Sequence, residues 1–293
     1  MKFISLFAGI GGLDLGLERA GFECVAQVEI NEFALQVLQK HWASVPKYKD
    51  VRDVGKHNLP NADLICGGFP CQDVSLAGQR AGLEGKRSTL WSEFHRIVCE
   101  IRPRWVVIEN VAGLLSSDNG EFFTKILREL STSGYDAEWR IISASDLGAP
   151  HIRERLFIIA YPNGYIGLDG VLQTGRDTFS EWRKKSVWGF DWSKSKVESR
   201  PATILQRWQR LAVRQSPLIR MDDGIPDVVE RLHATGNAVV PQVAEFIGDC
   251  VMKAEARLTR LAPDKWESVP STGIIPPLSL STSQSESTPP TCG

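Results

Sequence analysis

The chain has 293 residues, 42% of them hydrophobic and 24% charged, with a formal net charge of −1. That length builds one large domain or two modest ones without disulfide or metal staples, and the composition excludes a disordered or disulfide-dense class. No apolar run approaches the ~18 residues of a membrane span, and the glycine-interrupted start Met1-Lys2-Phe3-Ile4-Ser5-Leu6-Phe7 lacks the layout of a signal peptide.

Residues 3–7 predict a short buried strand running into Gly9-Ile10-Gly11-Gly12. A helical pattern follows through Leu13, Leu15, Leu17 and Ala20, stopped by Gly21. Residues 24–29 predict a second strand ending in Glu29, and Asn31 is placed to cap a helix over 33–42. Asp63-Leu64-Ile65-Cys66 predicts a strand entering Gly67-Gly68, and 105–109 another that ends in Glu109 before Asn110. An amphipathic helix over 121–131 closes at Ser133-Gly134, and 135–144 and 155–160 predict two more strands. This alternation implies an α/β fold with a mixed, mostly parallel, Rossmann-like sheet and helices on both faces. Ligands of such sheets lie outside the carboxyl ends of the strands. Gly9–Gly12, Glu29, Cys71 and Glu109 all follow a predicted strand end.

After Tyr161 the alternation fades. Residues 162–233 form an irregular basic stretch, 236–251 return to a helical pattern, and from Pro263 the chain is rich in Ser, Thr and Pro, which predicts a disordered tail. Between Arg176 and Arg220 eleven Lys/Arg face four Asp/Glu, a local net of +7 that leaves −8 elsewhere. Trp182, Trp188, Trp192 and Trp208 lie within this stretch. Cations interleaved with aromatics suit a phosphate backbone and its bases, and equally suit the solvated face of a small domain with a tryptophan core.

In the loop Phe7–Gly12, glycines let the backbone approach a ligand closely. Where the dinucleotide fingerprint wants its third glycine, this chain has Asp14. An acid in the first helical turn would repel a pyrophosphate, which argues against a nicotinamide dehydrogenase and favours a ligand with a cationic amine and no phosphate. Glu29, at the next strand end, is placed to take two ribose hydroxyls, and S-adenosylmethionine meets these demands. Six cysteines stand at 24, 66, 71, 99, 250 and 292, with no CxxC pair, so a zinc ribbon or redox dithiol is not expected and no metal is assigned. Cys71, on the turn Gly67-Gly68-Phe69-Pro70-Cys71-Gln72, is either a buried small hydrophobe or a nucleophile presented on a rigid turn.

Taken together, these residues resemble the cytosine-C5 DNA methyltransferase family. Phe7-Ala8-Gly9-Ile10-Gly11-Gly12 is similar to its first motif, Glu29 and Asp50 to its second and third, and Gly68-Phe69-Pro70-Cys71-Gln72 to its proline–cysteine motif. Glu109-Asn110-Val111, Arg153-Glu154-Arg155 and Gly236-Asn237-Ala238-Val239-Val240-Pro241 follow in the family's order. The resemblance implies a methyl transfer from S-adenosylmethionine, leaving S-adenosylhomocysteine, to carbon 5 of a flipped-out cytosine in duplex DNA. Cys71 would add to carbon 6, Glu109 would supply a proton or strong hydrogen bond at N3, Arg153 would contact O2, and Arg155 would hold the pocket together. The cofactor site would comprise Phe7, Gly9, Gly11, Gly12, Glu29, Ile30, Asp50, Val51, Pro70, Leu90, Asn237 and Ala238. A mobile loop from Ser75 to about Arg96 would close over the base.

The resemblance divides the chain into a discontinuous catalytic domain (1–164 and 234–262), a small irregular target-recognition domain (165–233) and the tail (263–293). DNA contacts would come from Ser75, Gln79 and Arg87 on the loop and from Arg176, Arg183, Lys184, Lys185, Arg200, Thr203 and Arg207. The expected setting is the bacterial cytoplasm, with double-stranded DNA as partner, no membrane, a monomer, and a separate restriction endonuclease as a candidate companion. Transfer to RNA cytosine and a non-catalytic DNA-binding homologue are the alternatives; Gln72-Asp73-Val74-Ser75 favours DNA. His151 stands where the family often has glutamine.

Overall fold

The computed structural model describes residues 1–70, 84–149, 151–163 and 236–261, with side chains for all of these except 84–89 and 260–261. Strands β1 (Lys2–Leu6), β2 (Glu23–Val28), β3 (Lys47–Tyr48), β4 (Leu64–Gly67), β5 (Trp105–Asn110), β6 (Tyr135–Ser143) and β7 (Glu154–Pro162) form one sheet in the order β3-β2-β1-β4-β5-β7-β6. The first five run parallel, and β7 lies antiparallel between β5 and β6. The helices are α1 (Gly12–Arg19), α2 (Glu32–His41), α3 (Glu84–Ile101), α4 (Glu121–Thr132) and α5 (Pro241–Leu261). The strand order reverses between β1 and β4, the crevice where Rossmann-like sheets bind ligands.

Alternation along each strand builds two cores. Phe3, Cys66, Trp105, Val107 and Phe157 face Leu13 and Leu17 of α1 and Phe246 and Ile247 of α5. Ile4, Ile65, Val106, Ile108 and Ile158 face α3 and α4. Each fully buried side chain of this size stabilises the fold by roughly 1.5–3 kcal/mol. Helices α1 and α5 approach nearly backbone to backbone: a Cβ on Gly16 would lie 2.4 Å from that of Ala244, and one on Gly248 would lie 2.5 Å from that of Ala20. Glu255 of α5 accepts from the indole of Trp105 at 2.9 Å and pairs with Arg104, which also pairs with Asp63 at 2.9 Å. The last helix is thereby built into the first half of the sheet.

The expected strands and the helices α1, α2 and α4 are present within a residue or two, and Asn31 caps α2 by accepting from the amide of Ala34 at 2.9 Å. Two expectations change, and one short strand was not expected. The closing loop expected over 75–96 is helical from Glu84 onward, with Trp91 and Phe94 fully buried. Leu90, Trp91, Phe94, Ile97 and Val98 fall at helical spacing, and burying that stripe outweighs the glycines near its start. The last helix begins at Pro241 rather than Gly236 and runs on to Leu261. Proline suits a first turn, and the apolar stripe from Val243 to Leu258 continues past 251. The two-residue edge strand β3 is too short to carry a period. The target-recognition segment 165–233 and the tail 263–293 lie outside the described residues.

Candidate active site at the carboxyl edge of the sheet

Leu6 pairs with Val28 on one side and with Gly67 on the other, and Gly67 pairs with Ile108. Phe7, Glu29, Gly68 and Glu109 are therefore each the residue just past one aligned row. Parallel pairing turns four sequence positions into one continuous rim.

On the β1–β2 side the chain makes a cradle. The amide of Ala8 donates to the carbonyl of Val28 at 3.0 Å, and Phe7, Gly9 and Gly11 take positive φ of 54°, 56° and 83°. The Glu29 carboxylate accepts from the amides of Gly9 and Asn31, both at 2.7 Å. Asp50 accepts from the amide of Arg52 at 2.9 Å and pairs with its guanidinium, whose hydrogen bonds hold the carboxyl down at about 2. The glycines differ in purpose. A Cβ on Gly9 would meet nothing within 4 Å, whereas one on Gly11 would strike Trp42 at 2.5 Å and one on Gly12 the carbonyl of Val239 at 2.3 Å. Gly9 thus borders open space, while Gly11 and Gly12 let α2 and the returning C-terminal segment close up. Of the other residues expected at the cofactor, Ile30 is 64% exposed, Phe7 and Leu90 are half-buried, Val51 is buried and Pro70 is exposed.

On the β4–β5–β7 side the rim is charged and its carboxylate is buried. Glu109 is 8% exposed. Its Oε1 lies 2.9 Å from Nε of Arg155, yet is buried without an aligned hydrogen-bond donor, so the contact is ionic. Desolvation pushes the Glu109 carboxyl up to about 7, against the opposing pull of Arg155 and Arg153. Gly68 packs directly on this carboxylate, where a Cβ would stand 2.6 Å from Oε2. The buried Asn110 donates to the carbonyl of Phe69 at 3.1 Å and accepts from the amide of Val111 at 2.9 Å. It clamps the turn that leads to Pro70. This bond was not legible in the sequence, where Asn110 stood only as part of a motif.

The segment 237–240 joins the two sides. Val239 packs on Gly12, and the carbonyl of Ala238 accepts from Arg153 at 2.7 Å. Beside it is a cleft of about 660 Å³ lined by His151, Arg153, Arg155, Ala238, Val239 and Pro241 among others. Burial and the charge of Arg155 lower the Arg153 guanidinium, and burial lowers the His151 imidazole. Asn237 is exposed at the start of this segment. Among the described residues no group of three His, Cys, Asp or Glu could hold a metal ion, and no helix is long and apolar enough to cross a membrane.

The reading of Asp14 is corrected. Its carboxylate does not face the loop's ligand side. It is fully buried beneath the loop, accepting from Ser5 Oγ at 2.9 Å and Gln27 Nε2 at 2.7 Å, so it offers no surface charge to repel a phosphate. An acid at the third helical position can turn back under its own helix, which spacing alone does not reveal. Cys71, Ser75, Gln79, Arg176, Arg183, Lys184, Lys185, Arg200, Thr203 and Arg207 lie outside the described residues, as does the side chain of Arg87.

The chain combines a Rossmann-like sheet with an open glycine loop on one part of its rim and a Glu109–Arg155 ion pair on another, the architecture of a methyltransferase-like enzyme, and residues 1–202 match the C-5 cytosine-specific DNA methylase family. The chain belongs to that family. It is 36% identical over 163 residues to the Type II methyltransferase M.HhaI of Haemophilus parahaemolyticus, covering 56% of this chain and 50% of that one. It is 38% identical over 161 residues to the Type II methyltransferase M.FnuDI of Fusobacterium nucleatum, covering 55% and 47%. The chain spans about half the length of the curated relatives it matches. The methyltransferase EhMeth of Entamoeba histolytica shares the fold, with a TM-score of 0.54 at 18% identity over 89% of this chain and 98% of that one.

Proposed function

We propose that the protein is a DNA cytosine-C5 methyltransferase that uses S-adenosylmethionine and forms a covalent intermediate through Cys71. The observation that carries this reading is the junction of Glu109 with the proline–cysteine turn. Gly68 packs on the Glu109 carboxylate and Asn110 holds the Phe69 carbonyl, so the chain is delivered to Pro70, one peptide before Cys71, beside a carboxylate lifted to about 7.

The cradle fits the cofactor. Glu29 would take the ribose hydroxyls, Asp50 the adenine amine, and Phe7, Ile30, Val51, Pro70 and Leu90 the apolar faces of the adenosine; Gly9 leaves room where any side chain would intrude. When bound, the cofactor supplies an electrophilic methyl group. Carbon 5 of cytosine is not nucleophilic in the aromatic ring. The Cys71 thiolate adds to carbon 6, protonated Glu109 donates to N3, and the carbon 5 of the resulting enamine becomes the nucleophile. Methyl transfer leaves S-adenosylhomocysteine; the carbon 5 proton then passes to solvent, N3 returns its proton to Glu109, the Cys71 thiolate is expelled, and the ring is restored. Arg155 holds Glu109, and Arg153, anchored on Ala238, faces the base oxygen. The base reaches the pocket only by leaving the duplex.

Residues 1–164 and 234–262 would form the catalytic domain and 165–233 the target-recognition domain, whose cations would bind phosphates with steep salt dependence. The protein would act in the cytoplasm as a monomer on double-stranded DNA, with a restriction endonuclease as companion.

Methyl-labelled S-adenosylmethionine incubated with duplex DNA or transfer RNA tests the reading. Label is expected in DNA cytosine, mapped by bisulfite sequencing, and a covalent adduct is expected with DNA containing 5-fluorocytosine. Cys71→Ala is expected to abolish transfer. Label confined to transfer RNA, or full activity in Cys71→Ala, would overturn it.

A further inference from the structure

Asp14 has no part in the chemistry above, yet the fold buries a carboxylate there at 0% exposure. A lone buried charge is costly, and on this face of α1 its neighbours are Leu13 and Leu17. The carboxylate is instead surrounded by donors from two strands: Ser5 of β1 at 2.9 Å, Gln27 of β2 at 2.7 Å and the Cys24 thiol of β2 at 3.8 Å. Glu18 on α1, Cys66 on β4 and Lys47 on β3 also interact with it electrostatically.

The spacing of these partners matters. Ser5 lies two residues before Phe7, Gln27 two residues before Glu29, and Asp14 three residues after Gly11. Two bridges thus join the same two segments. One is at the rim, from Gly9 to Glu29 at 2.7 Å; the other is beneath it, from Asp14 to Gln27 at the same distance. The loop between them has positive φ at Phe7, Gly9 and Gly11, and Gly11 offers α1 no side-chain cap. Backbone in those regions persists only when its surroundings over-determine it. Apolar contacts on α1 resist separation but not rotation, whereas directed hydrogen bonds on both oxygens resist both.

We propose that Asp14 is a positioning residue for the cofactor cradle, fixing the rotation of α1 against β1 and β2 so that the Gly9 loop and Glu29 hold their facing arrangement. This rests on the cofactor reading above. The test is calorimetric titration of the full chain with S-adenosylhomocysteine, in which stoichiometry reports the folded fraction and Kd reports the cradle. Asp14→Ala is expected to weaken binding about tenfold with stoichiometry near one, and Asp14→Asn, which still accepts from Gln27, to restore it to within about threefold. Should Asp14→Ala not fold, Ser5→Ala and Gln27→Ala each remove one donor and are expected to weaken binding severalfold. A wild-type Kd in the folded fraction of Asp14→Ala, or in both single-donor variants, would reduce Asp14 to a packing role and overturn the proposal. A wild-type chain that binds no S-adenosylhomocysteine would instead sink the cofactor reading itself.

Discussion

Glu29 and Glu109 occupy equivalent places, each one residue past an aligned row of parallel strands, and the fold treats them in opposite ways. Glu29 is half-exposed at the mouth of an open cradle, its two oxygens each met by a backbone amide at 2.7 Å. Glu109 is walled in by Gly68 and faces Arg155 at 2.9 Å, and desolvation lifts its carboxyl to about 7. One rim therefore holds a carboxylate suited to accepting hydroxyls and another suited to passing a proton. The strand end supplies the position, and access to water sets the chemistry.

The sharpest way to break this contrast is to exchange the charge on each acid. Glu109→Gln is expected to lower methyl transfer about 100-fold or more, the scale of general acid–base catalysis, while the Kd for S-adenosylhomocysteine stays within twofold. Glu29→Gln is expected to do the reverse, weakening cofactor binding about tenfold with a smaller loss of kcat at saturation; matching kinetic profiles for the two variants would erase the distinction. Gly68→Ala should come next. Its Cβ would sit 2.6 Å from the Glu109 carboxylate, so transfer is expected to fall about tenfold with cofactor affinity retained.

The pH dependence follows with its sign. Glu109 moves from 4.5 to about 7 on folding, so the folded chain holds a proton that the unfolded chain has released between those values. Stability is expected to fall as pH rises through that window, on the order of 3 kcal/mol in all. Asp14, raised by burial from 3.8 to about 6, acts in the same direction. Urea denaturation of Glu109→Gln and Asp14→Asn between pH 4.5 and 8 should each show a flatter profile than wild type. Transfer, which uses the protonated acid, should decline as pH rises past about 7, and Glu109→Gln should lose that limb. The smallest effect belongs to Asn31→Ala. Loss of its bond to the Ala34 amide should cost about 1 kcal/mol of stability, measured in urea, while its own backbone amide still serves Glu29, leaving cofactor Kd nearly unchanged.

Much of this was legible in the chain. Strand alternation, the Asn31 cap and the stop at Gly21 are local signals, carried by side chains that act within a turn or two. The strand-end pattern placed Glu29 and Glu109 on one edge because strand ends of a parallel sheet must share it; Arg153 reaches that edge because β7 runs antiparallel, which the sequence did not show. Helix α3 was legible in principle, since Leu90, Trp91, Phe94, Ile97 and Val98 repeat at helical spacing, but nearby glycines favoured a loop. The direction of Asp14 was not legible at all, because a side chain at a helix start can serve either the solvent-facing loop or the core.

The amino-acid sequence determined the order of elements, the rim residues and the kinship, because periodicity and short motifs are properties of neighbouring positions. The tertiary structure alone decided that Gly12 makes room for Val239 and Gly16 for α5, that Asn110 holds the Phe69 turn, and that Glu109 is dry while Glu29 is not. Those outcomes depend on contacts between distant segments and on how much water each one displaces, and neither quantity is encoded in any local stretch of chain.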